Sequence, residues 1–254
     1  MTTLTIALIA KNEAANLTDC LASCAGLADQ IVVVDSGSTD DTVAIAEQFG
    51  AKVIVHTLWQ GFGPQRQVAQ SHVTGDWVLW LDADERLTPA LKVAIREAIT
   101  LDDRQCLYQV NRLSWVFGRF IRHSGWYPDR VVRLYATKKT SYTKAPVHEQ
   151  VMVPTGFALK TLDGDLLHYT YRDLQHYLVK SAQYADLWAR ERKSRGKTSS
   201  LTQGTWHALG CFFKMYILKT GFLDGKQGLL LALLSSHSTF AKYADLWVRD
   251  QPKP

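Results

Sequence analysis

The residues best suited to chemistry are three acids at the end of an apolar run, in the stretch WLDADERL at 80–87. Asp82 and Asp84 are two positions apart, so at an extended strand end both carboxylates would point the same way. Carboxylate oxygens suit Mg²⁺ or Mn²⁺, which proteins hold through one or two carboxylates together with substrate phosphates. The pattern therefore predicts a metal–diphosphate site. The alternative is a solvated turn in which Asp82, Asp84 and Glu85 are surface residues that bind no ligand.

These acids must be positioned by the elements around them, and the first hundred residues alternate strand and helix patterns. Apolar runs at 4–10, 30–37, 51–57 and 76–85 predict four strands, and helical spacing follows each of them. Ser38 or Thr39 is the expected N-cap of the second helix, and Thr88 that of the fourth. Four such units predict a parallel sheet with helices on both faces.

Sheets of this kind bind ligands beyond the carboxyl ends of their strands. Asp35 and the acids at 82–85 both follow strands of the predicted sheet. The acids that follow these two strands would therefore lie at the same edge of the sheet, which favours a ligand-binding site over solvent-exposed surface acids.

The second half of the chain changes character. Runs at 106–116 and 130–136 predict further strands, and amphipathic helices follow from residue 174. We expect a catalytic domain over 1–172, with a nucleotide-binding half at 1–105 and an acceptor half at 106–172. Residues 173–254 would form amphipathic helices at the membrane periphery. The uncharged run at 227–241 is shorter than the roughly 18 residues of a spanning helix, and favours a buried or interfacial helix.

Composition narrows the partners. The chain has 254 residues, 46% hydrophobic and 21% charged, which is ordinary for a globular protein with a large core. A net charge of +5 allows a nucleotide, a phosphorylated substrate or an anionic membrane as partner. The basic residues are scattered and no nucleic-acid motif is present, so no nucleic acid is expected. Four cysteines indicate buried thiols, and the first residues lack the basic region of a signal peptide, which predicts a cytoplasmic protein.

Four segments carry a family resemblance, in the order IALIAKNEAANLTDCLAS, IVVVDSGSTDDT, GDWVLWLDADE and VHE. With them the chain resembles family 2 glycosyltransferases of the GT-A fold. It is most similar to bacterial β-1,4-glucosyltransferases of the lipopolysaccharide inner core, and GFLDGKQGLLLALLSSHSTFAKYADLW is similar to their C-terminal segment. The resemblance implies an α/β fold with a mostly parallel, Rossmann-like nucleotide-sugar-binding sheet, flanking helices and a C-terminal helical region.

The resemblance also implies a nucleotide pocket. Asp35 would accept hydrogen bonds from the uracil or ribose, Asn12 and Glu13 would line the same pocket, and Arg66 would lie near the nucleotide. The bare sequence leaves other roles open. Asp35 could be a helix-start acid, Asn12 and Glu13 could cap a helix, and Arg66 could be a solvated helix residue.

For the metal, the resemblance makes Asp84 the direct ligand of Mg²⁺ or Mn²⁺, while Asp82 contacts the ribose or the metal. His168 would complete the shell, as a late histidine does in some GT-A enzymes. The alternative for His168 is a packed side chain beside its apolar neighbours.

An inverting family needs a base that deprotonates the attacking hydroxyl. The usual base belongs to a Glu-Asp pair downstream, and this chain departs from that pattern by offering APVHEQ. Glu149 is the candidate base, with His148 as its neighbour or substitute and Asp129 as the rival. A surface acid in a β loop is the alternative for Glu149.

Residues before and within the strand predicted at 130–136 are acceptor candidates. Arg130 and Arg133 would hold the diphosphate or an anionic acceptor. Trp126 and Tyr127 would stack on a sugar, or else belong to an aromatic core.

The predicted function is inverting transfer of a sugar, glucose from UDP-glucose first, onto a lipopolysaccharide heptose or related glycolipid at the inner face of the cytoplasmic membrane. One alternative is a glycosyltransferase of another surface polysaccharide with a different donor. A second is a non-catalytic, membrane-associated nucleotide-binding protein. A nucleotidyltransferase is disfavoured, because LIAKNEAANL lacks the glycine-rich phosphate loop of that class.

Overall fold

The computed structural model describes residues 2–145 and 149–252. The elements of the first half alternate as the sequence predicts. They are β1 Leu4–Ala10, α1 Ala14–Ser23, β2 Gln30–Asp35, α2 Thr42–Gln48, β3 Lys52–Val55, α3 Phe62–Ser71, β4 Trp77–Trp80, β5 Glu85–Leu87 and α4 Pro89–Leu101.

The second half contains the longer strands and the C-terminal helices. They are β6 Cys106–Val116, β7 Arg119–Phe120, β8 Asp129–Ala136, β9 Ala158–His168, α5 Leu174–Ser194, α6 Leu201–Phe213, the π-helical turn Lys214–Leu218, the 3₁₀ turn Gly221–Asp224 and α7 Gly225–Val248.

The strands form one sheet in the order β3-β2-β1-β4-β8-β6-β9-β5, with β7 paired to the end of β6. The first four in this order pair in parallel. Antiparallel pairing begins where β4 meets β8 and continues between β8 and β6 and between β5 and β9. The predicted α/β fold with a C-terminal helical region is confirmed, and its parallel part is confined to the four N-terminal strands.

Strand β4 shows why the parallel part reads as unbroken apolar sequence. Trp77 and Leu79 lie in one hydrophobic cluster and Val78 and Trp80 in another, and all four side chains are buried. Successive side chains of a strand point to opposite faces, so both faces of β4 are covered. The acids that follow β4 therefore lie at the end of a strand that is buried on both faces.

Two helix starts test the capping predictions. Thr88 caps α4 as expected, because its hydroxyl accepts a hydrogen bond from the backbone N–H of Leu91. The prediction of Ser38 or Thr39 as the cap of α2 is wrong, since the helix begins after Asp41. Ser38 and Thr39 instead bond to Asp35 and Asn12, which holds the loop before the helix.

The chain divides into two compact units. One contains the residues up to Arg112 together with Asp129–His168, and the other contains Leu113–Pro128 with the residues from Tyr169 onward. In the second unit α6 packs closely on α7, where a Cβ on Gly204 would lie only 2.9 Å from the Cβ of Tyr243. Within the described part of the chain, we find no helix with the length and apolar character needed to cross a membrane.

Candidate active site

The acids after β4 lie in a turn, which changes the geometry expected of an extended strand end. The backbone N–H of Asp82 donates to Glu85 Oε2 at 2.9 Å, and the N–H of Glu85 donates back to the carbonyl oxygen of Asp82 at 2.9 Å. The chain thus reverses into β5, and Asp82 and Asp84 have different partners. They do not present one shared pair of carboxylates.

Asp82 is held by two arginines. Its Oδ1 accepts from Arg66 Nη2 at 2.6 Å, and its Oδ2 accepts from Arg133 Nη2 at 2.6 Å. Burial opposes the charged form of Asp82, but the two guanidinium groups outweigh it and hold the pKa of that carboxyl far below its usual range. Asp82 is therefore an anion whose oxygens are already paired.

Arg66 is buried against aromatic rings, so it is not the solvated helix residue that the sequence left open. Its side chain is 5% exposed, and its guanidinium carbon lies 4.8 Å from the ring centroid of Tyr142 and 5.4 Å from that of Trp80. Burial disfavours its charge, but the carboxylate of Asp82 raises the pKa of Arg66 above its ordinary value. The rings and the carboxylate together stabilise a permanent cation on the first turns of α3.

A chain of alternating charges extends from Asp82 to the rival base. Arg133 Nη2 also contacts Glu85 Oε1 at 2.5 Å, and Arg112 Nη1 reaches the same oxygen at 3.7 Å. Arg112 Nη2 in turn lies 2.6 Å from Asp129 Oδ2. Glu85 is fully buried, and burial raises its pKa despite the cation of Arg133. The arginines favour the charged forms of both Asp82 and Glu85, but at Glu85 burial opposes the charge more strongly.

Asp84 lies beside His168. His168 Nε2 is 3.4 Å from Asp84 Oδ2, and its residue pairs with Glu85 across the antiparallel ladder of β5 and β9. The Asp84 side chain is 26% exposed, so it is the acid of this turn that can reach a ligand without breaking an arginine pair. Among the described residues, no three His, Cys, Asp or Glu side chains are grouped so that they could hold a metal ion.

A carboxylate and an imidazole fit a divalent cation that draws its other ligands from elsewhere. Mg²⁺ in particular is usually bound by one or two carboxylates, several waters and substrate phosphates. The pair Asp84 and His168 supplies such a partial shell. A closed protein cage is not needed for a metal that arrives with a diphosphate.

The candidate base Glu149 joins the same cluster. Its Oε1 accepts from Arg66 Nε at 3.2 Å, and its side chain is 15% exposed, so it is not a freely solvated surface acid. Close packing precedes it in the chain, because a Cβ on Gly63 would lie 2.2 Å from the carbonyl oxygen of Thr143. His148, its predicted neighbour or substitute, lies outside the described residues.

The residues predicted to line the nucleotide pocket hold two loops together. Asp35 is buried, and its Oδ2 accepts from the backbone N–H groups of Gly37 at 2.8 Å and Ser38 at 2.9 Å, while Oδ1 accepts from the Ser38 hydroxyl. Asn12 accepts from the backbone N–H of Thr39 at 2.8 Å, and its own N–H donates to the Ser38 hydroxyl. These bonds connect the loop after β1 with the loop after β2.

Glu13 and its neighbours extend this connection. The backbone N–H of Glu13 donates to the Thr42 hydroxyl at 2.8 Å, and its carboxylate accepts from Asn16 at 2.9 Å. The Gln65 amide nitrogen donates to the Ser36 hydroxyl at 2.9 Å, which joins α3 to the same loop. The rim of the parallel sheet is thus pre-organised by side chains rather than by packing alone.

The four acceptor candidates fall into both units. Arg130 is exposed on β8 and pairs in register with Asn111, whereas Arg133 is buried against Asp82 and Glu85. Trp126 and Tyr127 belong to the second unit, where both are half-buried. There Trp126 packs against Tyr171 at a centroid distance of 6.4 Å, and the Arg122 guanidinium lies over the Tyr127 ring at 5.4 Å. Arg130 and Arg133 therefore belong to the first unit, and Trp126 and Tyr127 to the second.

The sequence does not predict that three further residues belong to this cluster or contact it. Glu85 is predicted only as one of three acids after a strand, Arg112 lies within the apolar alternation of β6, and Tyr142 belongs to a stretch without a clear pattern. A charged residue inside a strand of buried side chains is the signal that could have found Arg112. Nothing local marks Tyr142, whose contact with Arg66 joins residues 76 positions apart.

A profile of the family described as "Glycosyl transferase family 2" matches residues 5–160. That is more than half of the chain, and it includes the turn at Asp82 and Asp84 and the cluster around Arg66, and it ends in the first residues of β9. The chain belongs to glycosyl transferase family 2. The GT-A fold expected from the resemblance agrees with the observed mixed sheet.

Curated relatives support the same family over nearly the whole chain. An uncharacterized glycosyltransferase of Rickettsia felis is 31% identical, over 94% of this chain and 87% of the relative. The lipopolysaccharide core biosynthesis glycosyltransferase LpsC of Rhizobium meliloti is 26% identical, over 93% of this chain and 92% of that protein. The similarity therefore extends beyond the profile match into the C-terminal helices.

Two solved structures show weaker similarity. Glucosyl-3-phosphoglycerate synthase of Mycobacterium tuberculosis, in complex with Mn²⁺, UDP and glucosyl-3-phosphoglycerate, is 26% identical with a TM-score of 0.37, over 45% of this chain and 44% of that chain. S. aureus TarS is 17% identical with a TM-score of 0.48, over 97% of this chain and 54% of its own length. Both scores are below 0.5, so the fold assignment depends on the topology and the family match.

Proposed function

We propose that this family 2 enzyme transfers a sugar from a nucleoside diphosphate sugar to a glycolipid, with inversion at the anomeric carbon. UDP-glucose is the first donor to test, and a lipopolysaccharide inner-core heptose the first acceptor. The observation that carries the proposal is that the carboxylates of Asp82 and Asp84 have different partners. Two arginines pair with Asp82, whereas the partly exposed carboxylate of Asp84 lies beside His168.

The arginine pairs matter because a donor brings a diphosphate. Asp82, Glu85 and Asp84 without partners would repel that anion, since like charges in a low-dielectric site interact strongly. Arg66 and Arg133 cancel the charge of the two inner acids, and Arg112 adds to this at Glu85. Asp84 is left as the carboxylate directed to a cation that accompanies the diphosphate.

Asp84 and His168 would hold a bound Mg²⁺ or Mn²⁺, with the remaining ligands from water and the donor. When bound, such a metal stabilises the negative charge that grows on the departing diphosphate. The loop of Asp35 and Asn12 would orient the nucleoside, because its hydrogen bonds hold both loops at the carboxyl ends of β1 and β2. The fixed frame reduces the reorganisation needed when the donor binds.

Glu149 is the proposed base. Its pair with Arg66 orients the carboxylate and links it to the turn at Asp82, so base and donor site share one arginine. Glu149 would take the proton of an acceptor hydroxyl as that oxygen attacks behind the anomeric carbon. An α-linked donor then yields a β-linked product, and finding an α-linked product would reject single displacement.

The lipid acceptor is supported by the similarity to LpsC across both chains, at 26% identity. A glycolipid acceptor would bring the enzyme to the inner face of the cytoplasmic membrane. A second candidate function is the same chemistry in another surface polysaccharide with a different nucleotide sugar. It would use the same acidic turn, so the two candidate functions are distinguished by which nucleotide sugar the enzyme accepts as donor.

The test is thermal unfolding with UDP, with Mn²⁺, and with both together. Ligand at about 100 times its Kd adds about 2.7 kcal/mol of stability, which for a chain of this size raises Tm by about 5–10 °C. We expect the full shift only with metal and UDP together, and its loss in Asp84→Asn. Asp163→Asn is the matched control, because Asp163 is an exposed carboxylate of β9.

Two outcomes would change the proposal. A shift with another nucleoside diphosphate but not with UDP would keep the site and replace the donor. An equal shift in wild type and Asp84→Asn would remove Asp84 from the metal site. A screen of UDP-sugars with a lipopolysaccharide core acceptor then measures transfer directly.

A further inference from the structure

Helix α6 is built the opposite way from a helix of a water-soluble core. Its buried residues are the small ones, Gly204 and Ala208, and they face α7, where Ala208 O accepts from the Ser236 hydroxyl at 2.7 Å. A helix that packs only in water buries its large apolar residues and exposes polar ones. Here the tight packing of small residues leaves the bulky apolar side chains on the outside.

Those outward side chains form a continuous apolar ridge, which comprises Trp206, Leu209, Phe213 and Ile217. They are 70%, 54%, 54% and 43% exposed. The spacing i, i+3, i+7 and i+11 puts them along one side of α6 and its π-helical extension. The apolar exposure continues through the next turns, at Leu218, Phe222 and Leu223.

The segment that contains the ridge is rich in positive charge. Between residues 192 and 244 the sequence contains eight lysines and arginines and one acid, Asp224, and two of these cations, Lys193 and Arg195, pair with Asp250 and Glu191 outside the segment. Asp224 is buried, where it accepts hydrogen bonds from the backbone N–H and the ring nitrogen of His123. Lys214, Lys219 and Lys226 are exposed along the same stretch. A net charge of +7 in this segment exceeds the +5 of the whole chain, so the rest is net negative.

We propose that the ridge is a docking surface for an anionic lipid bilayer. Trp, Phe and Leu side chains would enter the boundary between headgroups and acyl chains, and Lys214 and Lys219 would lie at the phosphates. Exposed apolar patches of this size usually mark an interaction surface.

The charge decides between a bilayer and a second copy of the chain. A two-fold dimer through the ridge would bring the same positive segment against this one, whereas an anionic membrane attracts it over about a Debye length. The inference rests on the proposed function in one respect, because a lipid-linked acceptor would explain why the enzyme binds a membrane. Its observations concern the second unit alone, and its test involves no turnover.

The test is sedimentation of the full chain with vesicles of phosphatidylcholine alone and of phosphatidylcholine mixed with phosphatidylglycerol. We expect binding to the anionic vesicles that weakens with salt. Trp206→Glu combined with Phe213→Glu should reduce the partition coefficient about tenfold or more. Lys214→Gln and Lys219→Gln should each reduce it about fivefold at low salt. Val93→Glu with Leu101→Glu is the matched control on α4, since both residues are more than half exposed.

Circular dichroism and a cooperative thermal transition show whether each variant is folded, and Trp206→Ser with Phe213→Ser replaces the Glu pair if it is not. Vesicle binding without a nucleotide shift would support the membrane surface and count against the proposed donor site. Absence of binding to anionic vesicles would overturn the inference. So would an equal loss in the α4 control, or a concentration-dependent dimer that the ridge variants abolish.

Discussion

Replacing Arg133 by methionine tests whether the buried acids after β4 depend on one cation. Arg133 Nη2 lies 2.6 Å from Asp82 Oδ2 and 2.5 Å from Glu85 Oε1, and its side chain is 5% exposed. Methionine keeps most of the bulk and removes the charge. Breaking a buried pair by removing one partner costs about 3–5 kcal/mol. For a chain of this size that lowers Tm by about 10 °C or more.

The loss should depend on pH in a direction that the structure determines. Burial already raises the pKa of Glu85 with Arg133 present, and removal of the cation raises it further. A carboxyl with a raised pKa in the folded state binds more protons folded than unfolded, so stability falls as pH rises through that interval. Asp82 also loses part of its favourable pairing, but that loss is the same at the two pH values below, because both lie above the unfolded pKa of Asp82. The deficit of the variant should therefore be larger at about pH 8 than at about pH 5.

The assay is urea unfolding of wild type and variant at both pH values. Arg104→Met is the matched control outside the cluster, since Arg104 is 44% exposed and pairs with an Asp102 that is 35% exposed. Such a pair is worth about 1 kcal/mol or less. A deficit for Arg133→Met as small as that of the control, or one equal at the two pH values, would refute the reasoning.

Two further predictions concern the base and its support. Glu149→Gln should lower kcat by about 10²–10⁴-fold with little change in donor binding, whereas Asp129→Asn should retain most activity. The reverse ranking in steady-state kinetics would transfer the base to Asp129. Gly63→Ala should destabilise the fold by about 1–3 kcal/mol, because its Cβ would lie 2.2 Å and 2.6 Å from the carbonyl oxygens of Thr143 and Ala145. A denaturation midpoint of Gly63→Ala equal to that of the wild type would contradict this prediction, because the backbone at Thr143 and Ala145 would then have shifted at no cost.

Local sequence patterns were enough for the parallel half of the fold. The apolar runs of β1 to β4 and the cap at Thr88 depend on residues close in the chain, so their periodicity is readable directly. The same patterns led to the acids after β4 and, with the family resemblance, to Asp84, His168 and Glu149 as candidates. The N-cap of α2 was missed because Ser38 and Thr39 bond to residues of other loop segments.

Tertiary structure decided which candidates lie together and how their charges are paired. Asp82 meets Arg133 across 51 positions, and Asp84 meets His168 because β5 returns to pair with β9 at the sheet edge. A strand order such as β4-β8-β6-β9-β5 is set by non-local pairing, which no local period encodes. The same holds for α6, which the sequence predicts only as part of an amphipathic helical region over 173–254. Its bulky apolar side chains lie outside because its small residues pack on α7, so the sequence determined that the helix is apolar and the tertiary packing decided which face meets solvent.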